Sequence, residues 1–197
     1  MDCAFGVAGE DWVIIGSDRA VVKSIIKLQD TDDKLRILSD NQIISCCGEV
    51  ADRKEFSKLV NGEMDYYYYR YNKRLSTDEL ANYTRSTLAE SLRKKPYQVN
   101  CLISGFDEDG AKLYWLDYLG SMQRVLKGSH GYGGNFLYGI MDNHHKKVIT
   151  NTKKIFIKNI LFIFLFTNIK LNLLIKMKIN LKGLDCWRWK KMCYWLY

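Results

Sequence analysis

The fold is decided by residues 12–19, which read WVIIGSDR. Its run of apolar and β-branched residues predicts a short strand. A similar run, CAFGV, occupies residues 3–7, and the turn residues at 9–11 between the two runs predict a hairpin. Asp18 ends this hairpin, and Lys34 follows within the next turn region.

Asp18 and Lys34 belong to the residue types that surround a nucleophile at a chain's amino terminus. In such sites a terminal Ser, Thr or Cys attacks, and the chain's own amine serves as the base. This sequence begins Met1-Asp2-Cys3, so we expect no hydroxyl or thiol at the terminus. The pattern therefore predicts a fold of the hydrolase type that serves a structural role in this protein.

Charge divides the chain into two parts. The 197 residues suffice for one ordinary domain, and 47% apolar with 26% charged residues is typical of a globular protein. Residues 146–197 carry 12 Lys and Arg residues and one acidic residue, Asp185. Residues 1–145 carry 18 Lys and Arg residues and 21 Asp and Glu residues. We therefore predict a mildly acidic domain over 1–145 and a basic Lys/Asn/Ile/Phe-rich tail over 146–197.

Periodicity predicts alternating blocks of strands and helices. β-branched runs broken by polar turns favour strands at residues 3–8, 12–22, 35–38 and 42–48. Helical spacing follows over 51–72, where we expect two rings of Tyr66–Tyr69 to face the core and two to lie on the flank or at a subunit contact.

The second half repeats this alternation. A capping box of Ser76 and Glu79 opens another helix that stops before Pro96. Strands resume at residues 99 and 112, and a glycine-rich loop over 128–134 leads into a short helix over 136–141. Strands, two helices, strands and a further helix predict an α+β layered sandwich.

The six cysteines indicate free thiols. They lack Cys-x-x-Cys spacing, and the sequence shows no signal peptide, which favours a reducing compartment. Cys46 and Cys47 would point to opposite faces of a strand, so burial is favoured over a redox pair. Cys3 could act as a nucleophile if Met1 and Asp2 were removed, but we interpret it as a core residue.

No cofactor or metal site is predicted. His130 and the pair at 144–145 lack the spacing of a zinc site. The loop over 128–134 lacks the Lys-Ser/Thr end of a phosphate-binding loop.

The tail mixes lysines with aromatics, as nucleic-acid or lipid binders do, yet its lysines are spread along the whole segment and not clustered. Its longest apolar run, residues 160–166, is short of the roughly 20 residues of a spanning helix. We expect no nucleic acid and no membrane as partners.

Seven short motifs stand in a fixed order along residues 1–145. They are GSDRA (16–20), DKL (33–35), CGE (47–49), PYQVN (96–100), SGFD (104–107), YWLDYL (114–119) and HGYG (130–133). In this order and spacing the chain resembles the beta subunits of the proteasome, and among them the non-catalytic ones, in which no propeptide precedes the first strand.

The resemblance implies a fold and a set of partners. The fold is a four-layer α-β-β-α sandwich of the N-terminal nucleophile hydrolase type. The partners are other beta subunits in a seven-membered ring, the subunits of an alpha ring and the opposite beta ring. The implied role is ring assembly for ubiquitin- and ATP-dependent protein degradation, in the cytoplasm and nucleus.

The resemblance also places the family's catalytic positions. The aspartate falls on Asp18, the lysine on Lys34 and a supporting serine on Ser129, while the threonine position falls on Asp2, or on Met1 within the error of the alignment. We therefore expect a vestigial constellation, no catalytic residue, and a chain that is not an enzyme. The alternatives are an active N-terminal nucleophile hydrolase and a basic membrane- or nucleic-acid-binding protein that acts through its tail.

The tail departs from the family pattern. Family members continue with one more helix and further strands of the core sheets, and residues 146–197 show no counterpart. They read like translated non-coding sequence or a strongly diverged end. We therefore expect an incomplete sandwich, with its C-terminal part replaced by an aberrant tail and one sheet edge left exposed.

Overall fold

The computed structural model of the chain describes residues 2–10, 12–148 and 174–177, the last of these and 143–148 by their backbone. The functional expectations for the tail fall largely on residues 149–173 and 178–197, outside the described residues. Within the described part lie eleven strands and three helices.

The first sheet is built around the amino-terminal hairpin. Its four strands are all antiparallel and lie in the order β10-β1-β2-β11. They are β1 (Cys3–Ala8), β2 (Trp12–Ser17), β10 (Lys127–Gly131) and β11 (Leu174–Met177). Every residue of β1 and β2 is buried, because one face of the sheet meets a helix and the other meets a second sheet.

The second sheet has five antiparallel strands in sequence order. They are β5 (Leu35–Ser39), β6 (Gln42–Gly48), β7 (Val99–Asp107), β8 (Gly110–Leu116) and β9 (Met122–Arg124). A separate two-stranded hairpin, formed by β3 (Val21–Lys23) and β4 (Ile26–Gln29), connects the two sheets along the chain.

Three helices cover the sheets, and local chemistry sets their ends. They are α1 (Val50–Tyr71), α2 (Thr77–Ser91) and α3 (Tyr132–Val148). The Glu49 side chain caps α1, which ends at Asn72 in the left-handed conformation. Ser76 and Glu79 form the predicted capping box of α2.

The apolar contacts define four layers. On one outer face Phe56 and Val60 of α1 and Leu80 of α2 pack against the five-stranded sheet. On the other, Leu137 and Met141 of α3 pack against the four-stranded sheet. A third cluster joins the sheets, with Ala4, Ile15, Leu35, Ile43, Cys47 and Leu102 in its core. The predicted α-β-β-α sandwich is confirmed.

Two local predictions are wrong. The strand predicted over 12–22 ends at Ser17, because the Asp18 side chain turns inward to accept backbone hydrogen bonds. The loop predicted over 128–134 is instead β10 followed by the first turn of α3, because residues 127–131 complete the backbone pairing of β1.

The tyrosine run also differs from its prediction. None of Tyr66–Tyr69 is buried: Tyr69 is 85% exposed, and Tyr67 is half-buried. Instead of the core, the rings contact other surface groups of the helix and of the residues that follow it. Tyr67 meets Tyr71 at a tilt and Tyr68 meets Tyr69 edge-on, while Arg70 lies over Tyr66 and Arg74 over Tyr68.

The sheet edge expected to be exposed is covered. Residues 174–177, within the predicted tail, form β11 and pair with β2 from Trp12 to Ile15. Strand formation depends on packing and burial in context more than on an intrinsic preference of the sequence, so no short motif in this Lys/Asn/Ile-rich stretch predicted the strand. The boundary at residue 145 between domain and tail stays a prediction.

Candidate functional site

Lys34 is the centre of the candidate site. Its Nζ atom donates to both carboxylate oxygens of Asp18, each at 2.7 Å, and to the carbonyl oxygen of Ala20 at 2.8 Å. It also lies 3.0 Å from Oδ1 of Asp2, and its side chain is fully buried. The chain thus places an ammonium group between two carboxylates, at one end of the interface between the sheets.

Asp18 holds its position through the backbone. Its Oδ1 atom accepts from the Cys3 N–H at 2.8 Å and Oδ2 from the Ala20 N–H at 3.1 Å. The Asp18 N–H donates in turn to the Cys3 carbonyl at 3.0 Å. The carboxylate therefore joins the start of β1, the end of β2 and Lys34, and all its main donors come from these three places.

Asp2, the residue at the position that the resemblance assigns to the threonine, lies next to Lys34. Its second oxygen, Oδ2, accepts from the Gly48 N–H at 2.9 Å. Gly48 has φ 138°, and a Cβ there would collide with the Gln98 carbonyl oxygen, so glycine is required. A backbone N–H beside a buried ammonium is the kind of donor that stabilises an oxyanion, and here the Asp2 carboxylate occupies it.

We call these groups, Lys34 with Asp18, Asp2 and the Gly48 amide, the Lys34 cluster. It carries two carboxylates and one ammonium. Sequence reasoning missed the Gly48 N–H as a member, because it is a backbone group at the end of β6 and no side-chain pattern indicates it. The three side chains were predicted, and the structure brings them together.

The thiols beside the Lys34 cluster are held protonated. Burial raises the pKa of Cys3 to about 11, and the Asp18 and Asp2 carboxylates add to the rise while Lys34 opposes it. Burial likewise raises the pKa of Cys47 well above its usual value. The thiolate is the reactive form of cysteine, so the interpretation of Cys3 as a core residue agrees with its surroundings.

Ser129 lies apart from the Lys34 cluster. It pairs with Phe5 in the ladder between β10 and β1, whereas Gly131 pairs with Cys3 at the end that leads to Asp2. The Ser129 hydroxyl is buried and has no hydrogen-bond partner among the described residues. The structure thus joins Asp2, Asp18 and Lys34, and it places Ser129 further along the sheet.

A second buried ion pair, which the sequence did not indicate, involves Asp32, which precedes Lys34 by two residues. Arg53 of α1 donates from Nη1 to Oδ2 of Asp32 at 2.5 Å, and Lys54 lies 3.5 Å from the other oxygen. Burial acts to raise the pKa of Asp32, but the hydrogen bond and charge of Arg53 outweigh it, so the pKa is lowered. This pair fixes the segment before Lys34 to α1.

The described residues contain no group of His, Cys, Asp and Glu that could hold a metal ion. His130 instead stacks on Trp115 and contacts the Cys101 carbonyl oxygen at 3.1 Å. In the same part of the chain, no helix is long and apolar enough to cross a membrane.

Comparison with known proteins agrees with this geometry. A family model described as "Proteasome subunit" matches residues 2–161. The chain belongs to the proteasome subunit family. It is 38% identical over 147 residues to proteasome subunit beta type-2-A of Arabidopsis thaliana, which covers 74% of this chain and 72% of that protein.

Two fungal proteins extend the comparison. Proteasome subunit beta type-4 of Saccharomyces cerevisiae is 37% identical over 153 residues, 76% of this chain and 77% of its own length. Probable proteasome subunit beta type-4 of Schizosaccharomyces pombe is 33% identical over 189 residues, 94% of this chain and 93% of its own. This is a proteasome beta subunit, and its family membership implies assembly with other proteasome subunits in the core.

The expectation that the chain is not an enzyme is wrong. It rested on the residue at the nucleophile position, but the proteasome family to which the chain belongs is proteolytic, although some beta subunits are inactive. As a core subunit this chain is part of a protease complex.

Proposed function

We propose that this chain serves the proteasome core as a structural beta subunit. Its contribution would be to hold neighbouring subunits in register for ubiquitin- and ATP-dependent protein degradation. The observation that carries the proposal is the Asp2 carboxylate, which is paired with Lys34 and bonded to the Gly48 amide. A carboxylate held in this way is a poor nucleophile, because its charge is already neutralised and its oxygens are occupied.

The Lys34 cluster then has a structural purpose. Removing one partner of a buried ion pair costs about 3–5 kcal/mol, whereas the intact pair is tolerated. The cluster connects four backbone segments, at residues 2–3, 18–20, 34 and 48, which come from different parts of the chain. A subunit that works through its surfaces needs such fixed connections beneath them.

The proposed partners are those of a ring-shaped core. The subunit would occupy one place in a seven-membered beta ring and contact an alpha ring on one face and the opposite beta ring on the other. Heterologous contacts of this kind close into a ring when their rotation allows it. Proteins of the cytoplasm and nucleus keep their thiols reduced, and the described cysteines, Cys3, Cys46, Cys47 and Cys101, are all free and buried.

Depletion of this chain from its own cells tests the proposal. A structural subunit is needed by every active site of the complex, so all peptidase activities should fall in parallel with the yield of assembled core. Re-expression of the full chain should restore both. Loss of a single peptidase activity from a core that assembles in normal yield would contradict the structural role.

A further inference from the structure

The hairpin of β3 and β4 exposes aliphatic side chains at its tip. Ile25 is 96% exposed, Ile26 63% and Leu28 61%. Ile26 and Leu28 lie two residues apart on β4 and therefore share one face, while Lys27 and Gln29 share the other. Three neighbouring aliphatic residues make a continuous apolar tip, which we define as Ile25, Ile26 and Leu28.

Within the described part of the chain, the hairpin has no strand pairing with either sheet of the sandwich. Its two strands form a sheet of their own, separate from both sheets of the sandwich. An isolated two-stranded hairpin is marginally stable in water, and contiguous exposed apolar surface marks an interaction site. The hairpin therefore has the features of an element that is completed by a partner.

The base of the hairpin is held firmly, in contrast to its tip. The Asp32 N–H donates to the Arg19 carbonyl at 3.1 Å, and Lys34 bonds both Asp18 and the Ala20 carbonyl. Asp32 is also paired with Arg53 of α1. The Lys34 cluster and the Asp32–Arg53 pair thus close both ends of the segment from which the hairpin projects.

We propose that the apolar tip docks into a neighbouring proteasome subunit, at an apolar cleft with carboxylates on its rim. Family membership implies assembly with other core subunits, which makes one of them the occupant. Lys27 is already paired with Asp30 at 3.3 Å, whereas the exposed Lys23 has no ion pair in the described part of the chain, so the rim of the cleft should present a carboxylate to Lys23. This inference rests on the proposed structural role and names a surface that performs it.

Co-purification of the full chain with the other core subunits tests the docking. In Ile25→Ser/Ile26→Ser/Leu28→Ser, recovery of partner subunits should fall by about tenfold or more, as for the truncation of hot-spot side chains. Gln29→Ser, on the other face of β4, is the matched control and should behave as the unaltered chain does. Thermal unfolding of the purified variants should be unchanged, since the replaced side chains are exposed.

A photo-reactive benzoylphenylalanine at position 25 gives an independent readout. It should cross-link to another proteasome subunit, and mass spectrometry of the product should place the contact next to acidic residues. Cross-linking to a second copy of this chain, or equal recovery of partners with the triple serine variant, would overturn the inference. Failure of the unaltered chain to co-purify with any core subunit would instead overturn the proposed function.

Discussion

Asp2 is a residue whose side chain has two separate partners, Lys34 and the Gly48 amide. Asp2→Ala should lower the free energy of unfolding by about 1–3 kcal/mol, because it leaves a buried ammonium and an N–H group with one partner fewer. Asp2→Asn should cost less, since its amide oxygen can still accept from Gly48. Urea denaturation measures the stability of both variants, and Glu108→Ala, at an exposed position, serves as the control. Equal stability of Asp2→Ala and the unaltered chain would contradict these contacts.

Cys3 should react slowly with alkylating agents in the folded protein. Its pKa is raised to about 11 from 9.0, by burial and by the carboxylates of Asp18 and Asp2, against Lys34. The thiolate is the form of cysteine that attacks iodoacetamide, so below pH 9 alkylation of Cys3 should be about a hundredfold slower than in urea. Peptide mapping gives the rate, and Cys3→Ser serves as the blank.

The same pKa shift determines how stability depends on pH. The unfolded thiol loses its proton near pH 9 and the folded one near pH 11. The contribution of Cys3 to stability is therefore complete below pH 9 and is lost as the pH rises toward 11. Alkylation of Cys3 at pH 7 as fast as in urea would contradict the raised pKa.

At the residue scale, the sequence allows some members of the site to be predicted and conceals others. The resemblance placed Asp18, Lys34 and Asp2 at matching positions, and the structure brings all three together. The Gly48 amide is a backbone group, so no side-chain motif indicates that it belongs to the site. The pairing of Arg53 with Asp32 depends on how α1 docks on the sheet, which short motifs do not specify.

The amino terminus of α2 depends on Ser76, which accepts from the Glu79 N–H while Glu79 accepts from the Ser76 N–H. Ser76→Ala should lower the free energy of unfolding by about 1 kcal/mol, the usual cost of losing such a cap. Ser86→Ala, on an exposed position in the middle of α2, should change stability little. Thermal or urea unfolding distinguishes the two, and an equal loss in both variants would contradict the capping role.

Elements whose signals are local were predicted well, and those that depend on distant contacts were not. The capping box, β1 and the layered arrangement follow from residue patterns a few positions long. The division of 12–29 into β2 and a separate hairpin does not, because Val21 and Val22 continue the β-branched pattern of β2. What ends β2 is the bonding of Asp18 to Lys34 and Cys3, which are distant in sequence.

At the scale of the whole molecule, the completeness of the sandwich depends on a short segment far along the chain. β11 pairs with β2 and lies at the outer edge of the four-stranded sheet. Without it, β2 would present a row of unpaired backbone groups, and exposed edges of this kind promote self-association. The segment thus matters through its backbone, whatever the origin of the sequence around it.

Ile175→Pro tests this role of β11. Ile175 pairs with Ile14 in the ladder, and proline fixes φ at about −65°, away from the extended values that an antiparallel strand needs. We expect faster hydrogen exchange of the β2 amides and more self-association in light scattering, with little change in α1 and α2, which pack on the other sheet. Ile175→Val keeps the N–H and should behave as the unaltered chain. Unchanged exchange in β2 of the proline variant would show that β11 does not protect this edge, and the sandwich would then be complete without it.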